Sequence, residues 1–320
     1  MRIWLRMSEA ASDAVAFVVR PVAAAMPRIP GAPRLTEAAG ELLRDIDIVN
    51  ERGERQAIRL PQERPLTISL NGRDLVTLMT LGAAPELLVL GYLFNQRLIA
   101  RATTVESIAV SWEADFGIAR VTAAGDSSTL PDAALIPDAA LIPDNARFPG
   151  AARVPAPAAL GCGLGATYRA LMGDIDSITL PTPDAARITQ AALLQVLDTM
   201  SRHDDIHRAA GSVHSCALFH AADLWVAIED VGRHNALDTI TGWMLLHGVA
   251  GGDKTLFTTG RLSAEMVIKA AMSGIPILVS RNGVTAMGYE LARRLTMALF
   301  GRAAKGRFLC YAGADRFDPA

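Results

Sequence analysis

Leu224-Trp-Val-Ala-Ile-Glu-Asp-Val-Gly-Arg-His-Asn-Ala-Leu-Asp238 is the stretch whose reading decides the fold. An apolar run of strand length, Leu224 to Ile228, stops at a polar cluster around Gly232, and a helical pattern follows through Leu237, Ile240, Trp243 and Met244. A strand turning directly into a helix is the unit of a helix-covered sheet. Its carboxyl end offers free helix N–H groups and a dipole that favour an anion. The polar residues also have a plainer use, Asp230 and Asn235 as caps and Arg233 as a partner of Glu229, so this turn by itself marks only a candidate site.

The alternation continues on both sides. A helix is expected from Gln190 to about His203. Strands are expected at Val213–Phe219, Leu224–Ile228, Thr255–Thr258, Ile275–Val279, Met297–Phe300 and Arg307–Tyr311, with helices at Asn235–Leu246, Ser263–Ala271 and Thr285–Leu295. This pattern predicts a central, partly parallel sheet with helices on its faces. Thr259-Gly-Arg-Leu-Ser263 and Ser280-Arg-Asn-Gly283 each join a strand end to a helix start, where a ligand crevice opens. Together with Arg233-His234 and the basic Arg302-Ala-Ala-Lys-Gly-Arg307, these loops are expected to converge on one phosphorylated ligand, because arginines beside glycines suit bidentate phosphate contact. Ordinary solvated loops are the alternative.

Upstream, Thr67–Leu70 and Leu75–Leu78 flank Asn71-Gly72 in a hairpin pattern. Pro85 suits the first turn of a helix carrying Leu87, Leu88, Leu90 and Leu93. Val105–Trp112 and Gly117–Thr122 form a second hairpin pattern. Pro131-Asp-Ala-Ala-Leu-Ile136 repeats as Pro137–Ile142 and decays into Pro143–Phe148, a Pro-punctuated tether rather than a helix. It leads to Leu160-Gly-Cys-Gly-Leu-Gly-Ala166, where three glycines leave the Cys162 sulfur accessible. Cys216 and Cys310, among apolar neighbours, are expected in the core. Met1 to Thr36 reads as a loose extension whose apolar segment, Ala14–Val19, is too short to span a bilayer or serve as a signal peptide.

Of the 320 residues 51% are hydrophobic and only 5% aromatic, which fits an aliphatic core of helices on sheets; the formal net charge of −2 provides no global positive field for nucleic acid or an anionic membrane. Any anion site must be local. An odd number of widely spaced cysteines argues against a disulfide framework and fits a reducing cytoplasm.

Glu229–Asp238, Thr259-Gly-Arg-Leu-Ser-Ala-Glu-Met-Val-Ile-Lys269, Gly274-Ile-Pro-Ile-Leu-Val-Ser-Arg281 and Gly306-Arg307 resemble, in order, the signature blocks of the FdhD/NarQ family of formate dehydrogenase accessory sulfur carriers. The resemblance also takes in about Pro65 to Ile99. It implies an α/β fold with a cytidine-deaminase-like, three-layer C-terminal domain and a smaller α+β N-terminal region. It further implies a cytoplasmic homodimer that passes sulfur from a cysteine desulfurase to the molybdenum bis-pyranopterin guanine dinucleotide cofactor, carried as cargo for a molybdenum-dependent formate dehydrogenase. The persulfide would form on Cys162. Cofactor contacts would fall on Arg302, Ala303, Ala304, Lys305, Gly306 and Arg307, beside the candidates Arg233, His234, Arg261 and Arg281. The expected organisation is an extension at 1–36, an α+β region at 37–125, a Pro-rich linker at 126–160, a mobile cysteine loop at 161–188 and a deaminase-like domain at 189–320.

The chain departs from the family pattern at Gly165, where a second cysteine usually stands, and at Thr239, where the family has Lys. One cysteine suffices to hold a persulfide, but no internal thiol remains to resolve it. A cofactor-binding chaperone without sulfur transfer is therefore the alternative. A zinc deaminase is excluded, since neither His-x-Glu nor Pro-Cys-x-x-Cys occurs and His214-Ser-Cys216 lacks the Glu.

Overall fold

The computed structural model describes residues 19–21, 26–113, 116–124, 175–203 and 205–319. In chain order the elements are β1 (Val19–Pro21), β2 (Arg34–Leu35), β3 (Leu43–Val49), β4 (Arg55–Pro61), β5 (Arg64–Leu70), β6 (Arg73–Thr80), α1 (Pro85–Asn95), β7 (Val105–Trp112) and β8 (Gly117–Ala123). After Ile175 come β9 (Ile188–Thr189), α2 (Gln190–His203), α3 (Asp205–Ala210), β10 (His214–His220), β11 (Asp223–Asp230), α4 (Arg233–His247), β12 (Lys254–Thr258), α5 (Ala264–Met272), β13 (Ile277–Ser280), α6 (Ala286–Arg294), β14 (Ala298–Ala304), β15 (Arg307–Ala312) and β16 (Phe317–Asp318).

The larger sheet is seven-stranded, ordered β1-β11-β10-β12-β13-β14-β15. Strand β10 runs antiparallel to both β11 and β12, while β12, β13 and β14 are mutually parallel. It follows that β11, β12, β13 and β14 all end at one edge. Helices α4, α5 and α6 cover one face through Ile240, Met266, Val267 and Leu291, packed on Cys216, Val226 and Leu278. Helix α2 covers the other through Leu193, Val196 and Met200 against Phe219, Phe257 and Phe300. This is a three-layer α/β/α arrangement. Both faces of the sheet carry buried aliphatic and aromatic residues, as a helix-sandwiched sheet requires.

The smaller sheet is five-stranded, β2-β7-β8-β5-β6, with α1 packed on its inner face. Its β5–β6 hairpin turns at Asn71 and Gly72, both at positive φ (49° and 83°), the geometry that the Asn-Gly pair supplies at low cost. Helices α1 and α4 join the two sheets by backbone-close packing. A Cβ on Gly91 would lie 1.7 Å from the Asp238 carbonyl oxygen, and one on Gly242 1.9 Å from that of Leu87. No side chain fits between these helices.

The structure corrects three expectations. The extension to Thr36 is tied down at two places: β1 runs antiparallel to β11, and β2 runs parallel to β7. The segment expected to be mobile through residue 188 is packed from Ile175 onward. There the wholly buried Arg316 donates to the carbonyls of Pro181, Thr182, Ala186 and Thr296, while Arg294 forms a two-pronged pair with Asp176. Cys310 is exposed on β15, the last strand of the sheet among the described residues. The hairpin β3–β4 and helix α3 went unrecognised in the sequence; they carry no long apolar period.

Candidate functional site

The parallel strands deliver their following loops to one edge. The Thr259 N–H donates to the Ser215 carbonyl, the Arg281 N–H to that of Thr258, and the Arg302 N–H to that of Asn282, so the loops are laced side by side. Leu262 and Val284 extend this lacing as a parallel bridge. Gly260 has a definite steric task, since a Cβ there would lie 2.6 Å from the Arg233 Cδ; the arginine stem crosses the loop at this point. Arg233, Arg261, Arg281 and Arg302 thus share the edge, as the sequence pattern predicted.

They do not all share a face. Arg233 and Arg261 stand with His214 and His234 on the α4–α5 side, whereas the Arg281 guanidinium lies 5.9 Å from the Phe257 ring on the α2 side. The lateral spread is wide: β11 and β14 are four strand intervals apart, about 19 Å at ordinary spacing. A ligand touching Arg233 and the β14–β15 turn together has to be extended.

That turn is unusual. A bulge between Gly301 and Ala304 leaves Arg302 exposed with its backbone at φ 51°, and Lys305 and Gly306 follow at 51° and 73°. Non-glycine residues at positive φ cost free energy and cluster at binding segments. The bulge turns the Arg302 side chain out of the sheet. Lys305, Gly306 and Arg307 are exposed beside it, but Ala303 is buried in the α2-side core, so its side chain is not available to a ligand.

The acids of the central stretch do structural work. Glu229 accepts the N–H groups of Ile206 and His207 at the start of α3 (2.9 and 3.0 Å). Asp230 accepts the Gly232 N–H and the Asn235 side chain, and across the molecule the Thr80 hydroxyl and the Leu81 N–H. It pins the end of β6 to the turn. Burial pushes Asp230 up to about 6 against these four hydrogen bonds, which favour the carboxylate.

One turn deeper, His234 and Asp238 on α4 face Glu265 and Lys269 on α5, both pairs at i, i+4 spacing. Lys269 Nζ lies 2.8 Å from Asp238 and 3.4 Å from Glu265, and the Asn95 side chain of α1 donates to Asp238 at 2.7 Å. Burial opposes the charge on Lys269, yet the two acids outweigh it and hold its pKa above the ordinary value. Burial raises Glu265. His234 is driven down to about 2, first by burial and then by Lys269, Arg233 and His214, so its imidazole is neutral. Cys216, buried beneath the first turn of α4, is pushed up to about 12 by burial and is a thiol at neutral pH. Burial and Asp315 raise Cys310 as well. Cys162 lies outside the described residues.

A model of the FdhD/NarQ family matches residues 61–318. The chain belongs to the FdhD/NarQ family. The curated relative from Bacillus subtilis, named sulfur carrier protein FdhD, is 28% identical over 268 residues, 83% of this chain and 94% of that protein. The protein of the same name from Halalkalibacterium halodurans is 25% identical over 272 residues, 85% and 93% of the two chains. A crystal structure of a candidate formate dehydrogenase accessory protein from Desulfotalea psychrophila superimposes with a TM-score of 0.63 at 23% identity, covering 86% of this chain and 98% of that one. That likeness shows the fold. Among the described residues no helix is long and apolar enough to cross a membrane.

His214, Thr259 and Ser263 were not singled out as site residues from the sequence, although they line the same edge. His214 opens β10, and its Nδ1 lies 3.4 Å from the Thr259 hydroxyl, which also accepts the Ser215 N–H. No local pattern marks a histidine at a strand start; only the neighbouring loops give it a role.

Proposed function

We propose that this protein is a sulfur carrier that serves a molybdenum-dependent formate dehydrogenase. Cys162 would receive sulfur from a cysteine desulfurase, and the molybdenum bis-pyranopterin guanine dinucleotide cofactor would be held as cargo along the basic edge. The observation that carries this reading is the edge itself, about 19 Å of basic loops ending in the strained Arg302–Arg307 turn, in a chain whose relatives are named sulfur carriers. A bare phosphate cannot reach from Arg233 to that turn; an extended dinucleotide can. The three-layer domain is read here as a cytidine-deaminase-like scaffold put to binding, and the working unit as a cytoplasmic homodimer.

In the loading step the Cys162 thiolate attacks the outer sulfur of the desulfurase persulfide. The new S–S bond forms as the old one breaks, and the desulfurase cysteine leaves as thiolate. Because Gly165 offers no resolving thiol, the Cys162 persulfide persists until the cofactor or an external thiol takes its sulfur. The cofactor-chaperone reading is favoured by that same missing cysteine, and one experiment separates the two. Incubated with desulfurase and cysteine, wild type is expected to gain one sulfur by intact mass and Cys162→Ala none. Cys216→Ala should behave as wild type because its thiol is buried. Cys310→Ala is the stricter control, since that thiol is exposed. If wild type gains no sulfur where a two-cysteine relative does, the chaperone reading replaces the carrier. For the cargo site, calorimetry should show guanine nucleotides bound in preference to adenine ones, with Arg307→Ala weakening binding by about 1.5–3 kcal/mol, the worth of one charge-assisted contact.

A further inference from the structure

The α4–α5 mouth contains polar side chains that the capping and ion-pair network does not satisfy. His234 is 9% exposed, and neither ring nitrogen has a hydrogen-bond partner among the described residues; Nε2 stands 3.3 Å from Glu265 without hydrogen-bond geometry. The Ser263 hydroxyl, on the residue before α5, is shielded from solvent and likewise without a partner there. Neither α4 nor α5 has a side-chain N-cap. Leaving such groups unpaired costs about 1–3 kcal/mol each, which a ligand that completes them offsets. The two helix N-termini, with Arg233 and Arg261 beside them, suit an oxyanion.

We propose that His214, His234 and Ser263 complete an oxyanion subsite between the first turns of α4 and α5, that it takes one phosphate group of the bound ligand, and that His214 takes up a proton as the phosphate enters. The inference rests on the reading of the basic edge as the cargo site. Ser263 donates its hydroxyl, and the neutral His234 donates from one ring nitrogen.

His214 is the group that titrates. Burial, then Arg233 of α4, His207 of α3 and Arg261 of the β12–α5 loop, lower its pKa. The acids near it are engaged elsewhere: Asp230, its register partner on β11, with four donors, Glu229 with α3, and Glu265 of α5 with Lys269. A bound dianion reverses this balance and raises the His214 pKa. Affinity is then highest below the free-state pKa of His214, declines as pH rises towards the bound-state pKa, and is constant above it.

Sulfate is the probe, because its charge does not change over this pH range. The six histidine ring signals of the full chain are followed by NMR from pH 5 to 8.5, with and without sulfate. The signal absent in His214→Gln is expected to move its midpoint upward by about one unit, matched by roughly tenfold weaker sulfate binding at the alkaline end. Sulfate binding in His214→Gln should lose its pH dependence, and Ser263→Ala, which removes one hydroxyl, should bind sulfate about tenfold more weakly at every pH. An unmoved His214 midpoint, or wild-type sulfate binding in both variants, overturns the subsite. If guanine nucleotides still bind in that event, the proposed function stands; if sulfate behaves as expected but no nucleotide binds, the subsite stands and the cargo reading falls.

Discussion

The Glu229–Asp238 stretch reaches into two environments that differ in how their polarity is satisfied. At its deeper end Asp238 lies in the seam of α1, α4 and α5, bonded to Asn95 and Lys269, while Thr241 and Ser273 pair with each other nearby at 2.9 Å. At its shallow end, one helical turn away, the His234 ring nitrogens, and beside them the Ser263 hydroxyl before α5, are shielded from water without hydrogen-bond partners among the described residues. The spacing that puts His234 and Asp238 on one helix face is the same; what changes is whether a neighbouring helix closes over the group. In the seam the charges of Asp238 and Lys269 are paired by the chain and, among the described residues, only the Asn95 side-chain carbonyl oxygen is left over, whereas at the mouth both ring nitrogens of His234 and the Ser263 hydroxyl are. A polar motif in a sequence can therefore be partly mortar and partly site, and only the partners tell which.

The largest expected effect tests the seam. Lys269→Met leaves Asp238 and Glu265 buried without their cation, and should destabilise the fold by about 3–5 kcal/mol in denaturant unfolding. A loss below 1 kcal/mol would show that the seam is wetter than its burial implies. Next comes the acid that joins the two sheets. Asp230 has a pKa of about 6 in the folded chain against 3.8 as a free side chain. The folded state binds the proton more tightly, so the contribution of Asp230 is greatest below about pH 4 and is lost as pH rises to about 6, an effect on the order of 2–3 kcal/mol. Melting curves from pH 4 to 7 should show this slope in wild type and a flatter one in Asp230→Asn; identical slopes would refute it.

Gly242→Ala sets a methyl against the Leu87 carbonyl and forces α1 and α4 apart, with an expected cost of about 1–3 kcal/mol. A neutral outcome would mean that the helices slide freely. The smallest effect belongs to the mouth. Ser263→Ala, in the ligand-free protein, should not lower stability and should raise it by up to about 1 kcal/mol, because the hydroxyl removed has no bond to lose and its unmet burial cost is relieved. A drop as large as the one at the seam would erase the contrast between the two ends.

The sequence by itself determined the order and type of most elements in the sheet domain, because strand-length apolar runs alternate there with helical periods between Gln190 and Tyr311. It also determined that the arginine loops meet at one edge, which follows from parallel strands sharing a carboxyl end. The Asn71-Gly72 turn and the helix begun by Pro85 were legible because each residue's backbone preference acts locally. What only the tertiary structure decided involves partners distant in the chain. Glu229 serves α3 rather than the helix after it, and Asp230 reaches back to Thr80 and Leu81. Arg281 turns to the opposite face from Arg233, and Cys310 is exposed on β15, the last strand of the sheet among the described residues. Period and turn chemistry act within a few residues and can be read along the chain. Which face a loop side chain takes, and what covers an edge, depend on strand order and helix docking, which arise from burial summed over the whole molecule.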